Sequence, residues 1–170
     1  MQANATLVSV DEYLQTSFDD GDREYVDGLI VERRLGEKDH SKTQKKLILF
    51  FGMREQDLGA FCFPEQRVQV SQTRFRVPDV CVYLKEEPDD QVFHTPPFLV
   101  IEILSKDDRA SDLQEKIDDY LTFGVPYVWV IDPRRRSGVV HTREASREAR
   151  DGVLRTANPP IELPLALLFD

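Results

Sequence analysis

At 170 residues, with 41% hydrophobic and 31% charged side chains, the chain fits one domain, residues 1–170, long enough to bury a real core. A net charge of −9 excludes a protein that coats nucleic acid non-specifically, since affinity for phosphates comes largely from Lys and Arg. No apolar run approaches the roughly 20 residues a membrane helix needs, and no basic stretch followed by an apolar one marks a secretory signal.

Ser9 to Leu14 predicts a short helix, with Ser9 as N-cap and Glu12 at the capping-box position. Phe18 to Asp22 is an acidic turn. Glu24-Tyr25-Val26 and Leu29-Ile30-Val31 flank Asp27-Gly28, a strong hairpin signal. Arg33 to Lys38 is a polar loop. From about Ser41 to Leu58 the pattern is helical, with Leu47, Ile48, Phe50 and Phe51 as its apolar stripe. Asp39 or Ser41 would cap this helix and Gly59 would end it.

Ala60–Val70 predicts a strand that holds Pro64 and so belongs at a sheet edge. A turn at Ser71-Gln72-Thr73 leads to an apolar strand, Val77–Leu84. The charged loop Lys85–Pro97 separates it from a second apolar strand, Phe98–Leu104. A helix opens at Asp112, and Leu113, Ile117, Tyr120 and Leu121 make one apolar face. Gly124 and Pro126 end it, and Tyr127–Ile131 is another buried strand. Val139–Thr142 and Val153–Thr156 are peripheral strands, and Leu163–Phe169 is a final short helix. The unit from Phe98 to Ile131 has the composition of a right-handed βαβ crossover. The expected class is α/β (α+β): a central mixed sheet flanked by helices.

Cys62 and Cys81, in apolar surroundings, are expected to be free core thiols, and the compartment is expected to be the cytoplasm. Charge is unevenly spread: Met1–Glu32 has eight acids and one base, whereas His40–Arg76 has seven Lys/Arg against three acids. That basic middle suits a local nucleic-acid surface or an ordinary solvated helix face.

Each of the two apolar strands Val77–Leu84 and Phe98–Leu104 is interrupted by one carboxylate, Asp79 and Glu102. A carboxylate in an apolar strand is costly to bury unless a cation or strong donors compensate it. By strand alternation Asp79 shares its face with Val77, Cys81 and Tyr83, and Glu102 shares its face with Val100 and Leu104. Two such acids on strands that could be neighbours suggest a divalent metal site. Exposure at a strand end, or pairing with an arginine such as Arg76, is the plainer alternative for each acid alone.

Val77-Pro78-Asp79, Val100-Ile101-Glu102-Ile103-Leu104-Ser105, Asp112, Lys116 and Tyr120, and Gly124-Val125-Pro126-Tyr127-Val128-Trp129-Val130-Ile131-Asp132 follow one another along the chain. This ordered set resembles the PD-(D/E)XK restriction-endonuclease-like superfamily, and more closely its bacterial Uma-two-type branch, long catalogued as a domain of unknown function. Glu24-Tyr25-Val26-Asp27-Gly28 and His40 are similar to that branch as well. The resemblance implies a restriction-endonuclease-like core and a metal-dependent DNA endonuclease. It also implies Mg²⁺, or Mn²⁺, held by Asp79 and Glu102 with help from the Ile103 carbonyl. Such enzymes often work as homodimers, which suits cutting both strands of a duplex.

The superfamily pattern wants a lysine two residues after the glutamate, where this chain has Leu104. Lys116, on the following helix, matches the branch's migrated lysine and is the expected replacement; Lys106 would continue the Glu102 face. A solvated Lys116 paired with Asp112 or Asp119 is the competing account. Glu24 would add a further acid to the site or be a surface residue beside Arg23. His40 would bind phosphate or, as the preferred reading, cap its helix. His94 and His141 lack metal-ligand spacing, Arg134-Arg135-Arg136 fits a phosphate-facing loop or an exposed turn, and Trp129 belongs to the core. A different class of function is also open: a catalytically weak module of the same fold that binds nucleic acid or a protein partner.

Overall fold

The structure is a computed structural model that describes residues 7–19, 23–33 and 36–169. Helix α1 (Val10–Gln15) is capped as expected, the Ser9 hydroxyl accepting from the Glu12 N–H at 3.2 Å. Strands β1 (Arg23–Val26) and β2 (Leu29–Glu32) form the hairpin around Asp27 and Gly28, whose φ values of 48° and 95° suit an Asp-Gly turn. Asp20 to Asp22 of the predicted acidic turn, and Arg34 and Leu35 of the predicted loop, lie outside the described residues.

The single helix expected over Ser41–Leu58 is two, α2 (Lys38–Gly52) and α3 (Glu55–Leu58). The break lies at Met53-Arg54, where the Arg54 N–H turns back to the Phe51 carbonyl and tightens the chain. Neither Asp39 nor Ser41 caps α2; Glu37 holds that position without a side-chain cap. The expected strand Ala60–Val70 is likewise two, β3 (Ala60–Pro64) and β4 (Val68–Ser71), divided at Glu65, whose φ is 50°. After β5 (Arg74–Arg76) the chain bends through Val77-Pro78-Asp79 before β6 (Val80–Leu84), so the predicted Val77 strand starts late.

Strand β7 (Leu99–Ile103), helix α4 (Ala110–Phe123) and strand β8 (Tyr127–Asp132) form the predicted crossover, with β7 and β8 parallel. The helix begins two residues before the expected Asp112 and ends at Gly124, whose φ of 114° accommodates a left-handed cap. The remaining elements are β9 (Ser137–His141), β10 (Ser146–Glu148), β11 (Val153–Arg155), β12 (Glu162–Pro164) and α5 (Ala166–Phe169). Strands β5, β10 and β12 have no counterpart in the sequence reading.

The architecture is mixed α+β. A six-stranded sheet runs β10-β9-β8-β7-β6-β3, with only β7 and β8 parallel, and a four-stranded antiparallel sheet runs β2-β1-β5-β4. Residue alternation divides the core of the larger sheet in two. Val80, Ile101, Trp129 and Ile131 pack with Leu47 and Phe51 of α2. Cys81, Val100, Val128 and Val130 pack with Ile117 and Tyr120 of α4. A third cluster, Tyr13, Tyr25 and Phe75, joins α1 to the smaller sheet. Each large buried side chain contributes about 1.5–3 kcal/mol, so both helices are held firmly against opposite faces of the larger sheet. Among the described residues, no helix is long and apolar enough to cross a membrane.

Candidate active site

The register of β6 against β7 brings the two interrupting carboxylates together. Val80 pairs with Ile101 and Cys81 with Val100, and Asp79, one residue before the Val80–Ile101 pair, accepts from the N–H of Ile103, the residue after Glu102. Glu102 meets Tyr120 and Lys116 of α4, whereas Asp79, at the bend before β6, meets His40 of α2. Pro78 explains why Asp79 stands at a bend: it offers no N–H to a ladder and holds Val77 extended.

Asp79 is buried and fully engaged. Its Oδ2 accepts from the Ile103 N–H at 2.7 Å, and its Oδ1 accepts from Arg33 Nη2 at 2.9 Å and lies 3.2 Å from His40 Nε2. Burial would raise this carboxyl; His40, Arg33 and the Ile103 amide outweigh it and hold the pKa below the ordinary Asp value. His40 moves the opposite way: burial works against its charge, but Asp79 raises it above the usual imidazole value. Gln44, one turn along α2, donates to the Asp79 carbonyl at 2.9 Å and fixes the bend.

Glu102 has weaker company. Its Oε1 accepts from the Tyr120 hydroxyl at 2.7 Å, and its Oε2 stands 3.6 Å from Lys116 Nζ. Burial dominates, and despite Lys116 the neighbouring Asp79 and Glu24 carboxylates help push the pKa up to about 7. Glu24 reaches in from β1 of the smaller sheet and is 1% exposed. Lys116 Nζ lies 2.9 Å from its Oε1, Arg76 Nη1 donates to Oε2 at 2.9 Å, and the Val77 N–H donates to Oε1 at 3.2 Å. Burial opposes its ionisation, but Lys116 and Arg76 prevail and the pKa falls below the usual Glu value.

Helix α4 therefore supplies Lys116 and Tyr120, one turn apart, to the Glu102 side of the site. Its Asp119 meets Arg76 Nε at 2.7 Å and Arg74 Nη1 at 2.9 Å, tying the helix to the smaller sheet. Asp79, Glu102, Glu24 and Lys116 form one contiguous cluster across both sheets and α4. Lys106 lies elsewhere, 60% exposed and 3.0 Å from Glu37. Lys116 pairs with Glu24 and Glu102 rather than with Asp112 or Asp119.

Sequence reasoning misses Arg33, which falls in a polar loop with no local pattern to mark it. Tyr120 belongs to the ordered set that carries the resemblance, and its spacing of four from Lys116 puts both on one side of the helix, but its hydrogen bond to Glu102 is not read from the sequence. His40, whose preferred reading is a helix cap, instead contacts Asp79. Elsewhere, the His141 ring nitrogen Nδ1 lies 2.7 Å from Ser146 Oγ, and Trp129 is fully buried. The Arg134-Arg135-Arg136 run forms the β8–β9 turn, with the Asp132 carboxylate accepting from the Arg134 and Arg135 N–H groups.

Among the described residues, no group of three His, Cys, Asp or Glu side chains converges as a ready-made metal cluster. The donors that do converge, Asp79 and Glu102, are hard carboxylate oxygens, the type Mg²⁺ prefers, and that ion keeps several waters instead of a full protein cage. Three buried acids, one of them pushed up to about 7 chiefly by burial and further by the other two, also form a setting that a cation would relieve. The residues thus fit a divalent ion in kind.

No curated protein matches the chain. Among solved structures, a protein of Anabaena variabilis ATCC 29413, described as "a putative nuclease belonging to DUF820", superposes with a TM-score of 0.81 at 21% identity, over 95% of this chain and 97% of that one. At that identity the likeness shows a shared fold. The sequence profile of the Uma2 family, described as "Putative restriction endonuclease", matches residues 10–168. The chain belongs to the Uma2 family of the restriction-endonuclease-like superfamily.

Proposed function

We propose that the protein is a Mg²⁺-dependent DNA endonuclease, with Mn²⁺ able to substitute, whose site is Asp79, Glu102, Lys116 and Glu24. The observation that carries this reading is the convergence of two carboxylates and one lysine from separate elements: Lys116 Nζ is 3.6 Å from Glu102, and Asp79, one residue before the last Val80–Ile101 pair of the ladder, accepts from the N–H of Ile103, the residue after Glu102. Asp79 and Glu102 would hold the ion, with the Ile103 carbonyl. When bound, the ion would polarise the phosphoryl oxygen and acidify a water.

The chain's own groups have separable tasks. The Ile103 N–H and the Tyr120 hydroxyl fix one oxygen of each carboxylate, so the two acids are oriented before any ligand arrives. Glu24 holds the Lys116 ammonium at 2.9 Å and keeps it beside Glu102, where it neutralises charge developing on a phosphate and orients an attacking water. Burial alone would drive Lys116 toward neutrality, but Glu102 and Glu24 outweigh it and raise its pKa above the ordinary lysine value. Cutting both strands of a duplex would call for a homodimer.

The test is cleavage of supercoiled and single-stranded DNA by purified protein, with Mg²⁺ or Mn²⁺ and with EDTA. Metal-dependent cutting that disappears in Asp79→Ala and Glu102→Ala, both folded, is expected. Cutting that survives both substitutions overturns the assignment.

A further inference from the structure

We propose that Arg33 is a place-holding cation: it occupies the Asp79 oxygen a metal ion needs, and it passes to a substrate phosphate when the ion arrives. The inference rests on reading Asp79 as a metal ligand. Asp79 Oδ2 is committed to the Ile103 N–H at 2.7 Å, a bond to the strand backbone that cannot move without disturbing β7. Oδ1 is therefore the oxygen that faces a ligand; Arg33 Nη2 sits on it at 2.9 Å, closer than His40 Nε2 at 3.2 Å.

Little else anchors that guanidinium. Its other carboxylate neighbour, Glu65, is 3.6 Å away and 49% exposed, a loose contact. Arg33 itself follows the last residue of β2, so no ladder bond of its own holds its backbone in the sheet. Its side chain is 18% exposed and lies beyond the end of β2, whereas His40 is held in the first turn of α2. Asp79, Glu102, Glu65 and Glu24 all act on its charge, and Asp79 acts most strongly.

A divalent ion and a guanidinium cannot share one carboxylate oxygen without strong mutual repulsion. Ion entry releases Arg33, and the planar fork of donors it releases matches the oxygens of a phosphodiester. Metal and phosphodiester then bind cooperatively through this one residue, since each removes what opposes the other.

Mn²⁺ titration followed by electron paramagnetic resonance, with and without dimethyl phosphate as a minimal phosphodiester, tests the proposal without relying on turnover. Wild type, Arg33→Gln, Arg33→Lys and Asp79→Asn are compared after circular dichroism shows each to be folded. Arg33→Gln should bind Mn²⁺ about five-fold more tightly than wild type, and dimethyl phosphate should tighten Mn²⁺ binding in wild type but not in that variant. Arg33→Lys, which keeps the charge, should stay close to wild type in Mn²⁺ affinity. Unchanged or weaker Mn²⁺ binding in Arg33→Gln, or an equal phosphodiester effect in both, overturns the proposal. If Asp79→Asn abolishes binding while Arg33→Gln leaves it unaltered, only this inference fails. If wild type binds no Mn²⁺, the metal-site reading fails and this inference falls with it.

Discussion

Glu102 is the residue on which the electrostatics of the site turn. It is 6% exposed, it is surrounded by two other acids, and its pKa is pushed up to about 7. A folded-state pKa above the unfolded value of 4.5 means that the native protein binds a proton the unfolded chain releases. The resulting stability is complete below about pH 4.5 and is lost as pH rises through about 7. Urea unfolding without divalent ions should therefore show wild type losing up to about 3 kcal/mol relative to Glu102→Gln between those limits. A parallel pH dependence in both proteins would remove Glu102 as the source. Asp79 and Glu24, whose values are depressed, act oppositely, and their contribution disappears in acid. Lys116→Met leaves Glu24 with only Arg76 and the Val77 amide, so a loss of about 2 kcal/mol in the same assay is expected, together with loss of cleavage. Unchanged stability would show that Lys116 does not hold Glu24.

At the scale of the element, α4 carries most of the convergence. Its apolar spacing at Ile117 and Tyr120 was legible in the sequence, because periodicity reports which face is buried. The hairpin at Asp27-Gly28 and the βαβ unit were equally readable, whereas alternation could not place Asp79, which stands at a bend before β6 and meets His40 of α2. What could not be read were partners distant in sequence. The Arg33–Asp79 contact spans 46 residues and the Arg76–Glu24 contact 52, and nothing local to either arginine encodes such a pairing. Strand boundaries failed for a different reason: backbone turns at Glu65 and Pro78 cut apolar runs that hydrophobicity alone treats as continuous. One link between α4 and the smaller sheet is the Asp119 carboxylate on Arg76, 2.7 Å from Nε, beside the Lys116–Glu24 pair. Asp119→Ala should cost about 2–3 kcal/mol, since it strips a buried guanidinium of one of its two close carboxylates, Glu24 being the other. It should also lower cleavage by loosening Lys116. An Asp119→Ala protein as stable and active as wild type would mean that apolar packing alone seats the helix.

The whole molecule has a net charge of −9, so any DNA surface has to be local. Lys42 of α2 and Arg136 of the β8–β9 turn line one cavity of about 210 Å³ with Thr43 and Pro133, which joins these two basic segments at the end of the sheet where β7 and β8 finish. Asp79 and Glu102 stand at the same end. DNA binding should weaken in a Lys42→Glu, Arg136→Glu double variant, with the slope of log affinity against log salt less steep by about two, while Mn²⁺ binding is unchanged. An unaltered salt slope would place the DNA elsewhere. Under the proposed function Asp79 and Glu102 would together hold one divalent ion. Anomalous scattering from crystals of the wild-type protein grown with Mn²⁺ is the sharpest test. A single strong peak beside the Asp79 and Glu102 carboxylates, absent in Asp79→Asn, is expected. A protein saturated with Mn²⁺ that shows no peak there, or a peak that survives the substitution, would contradict it.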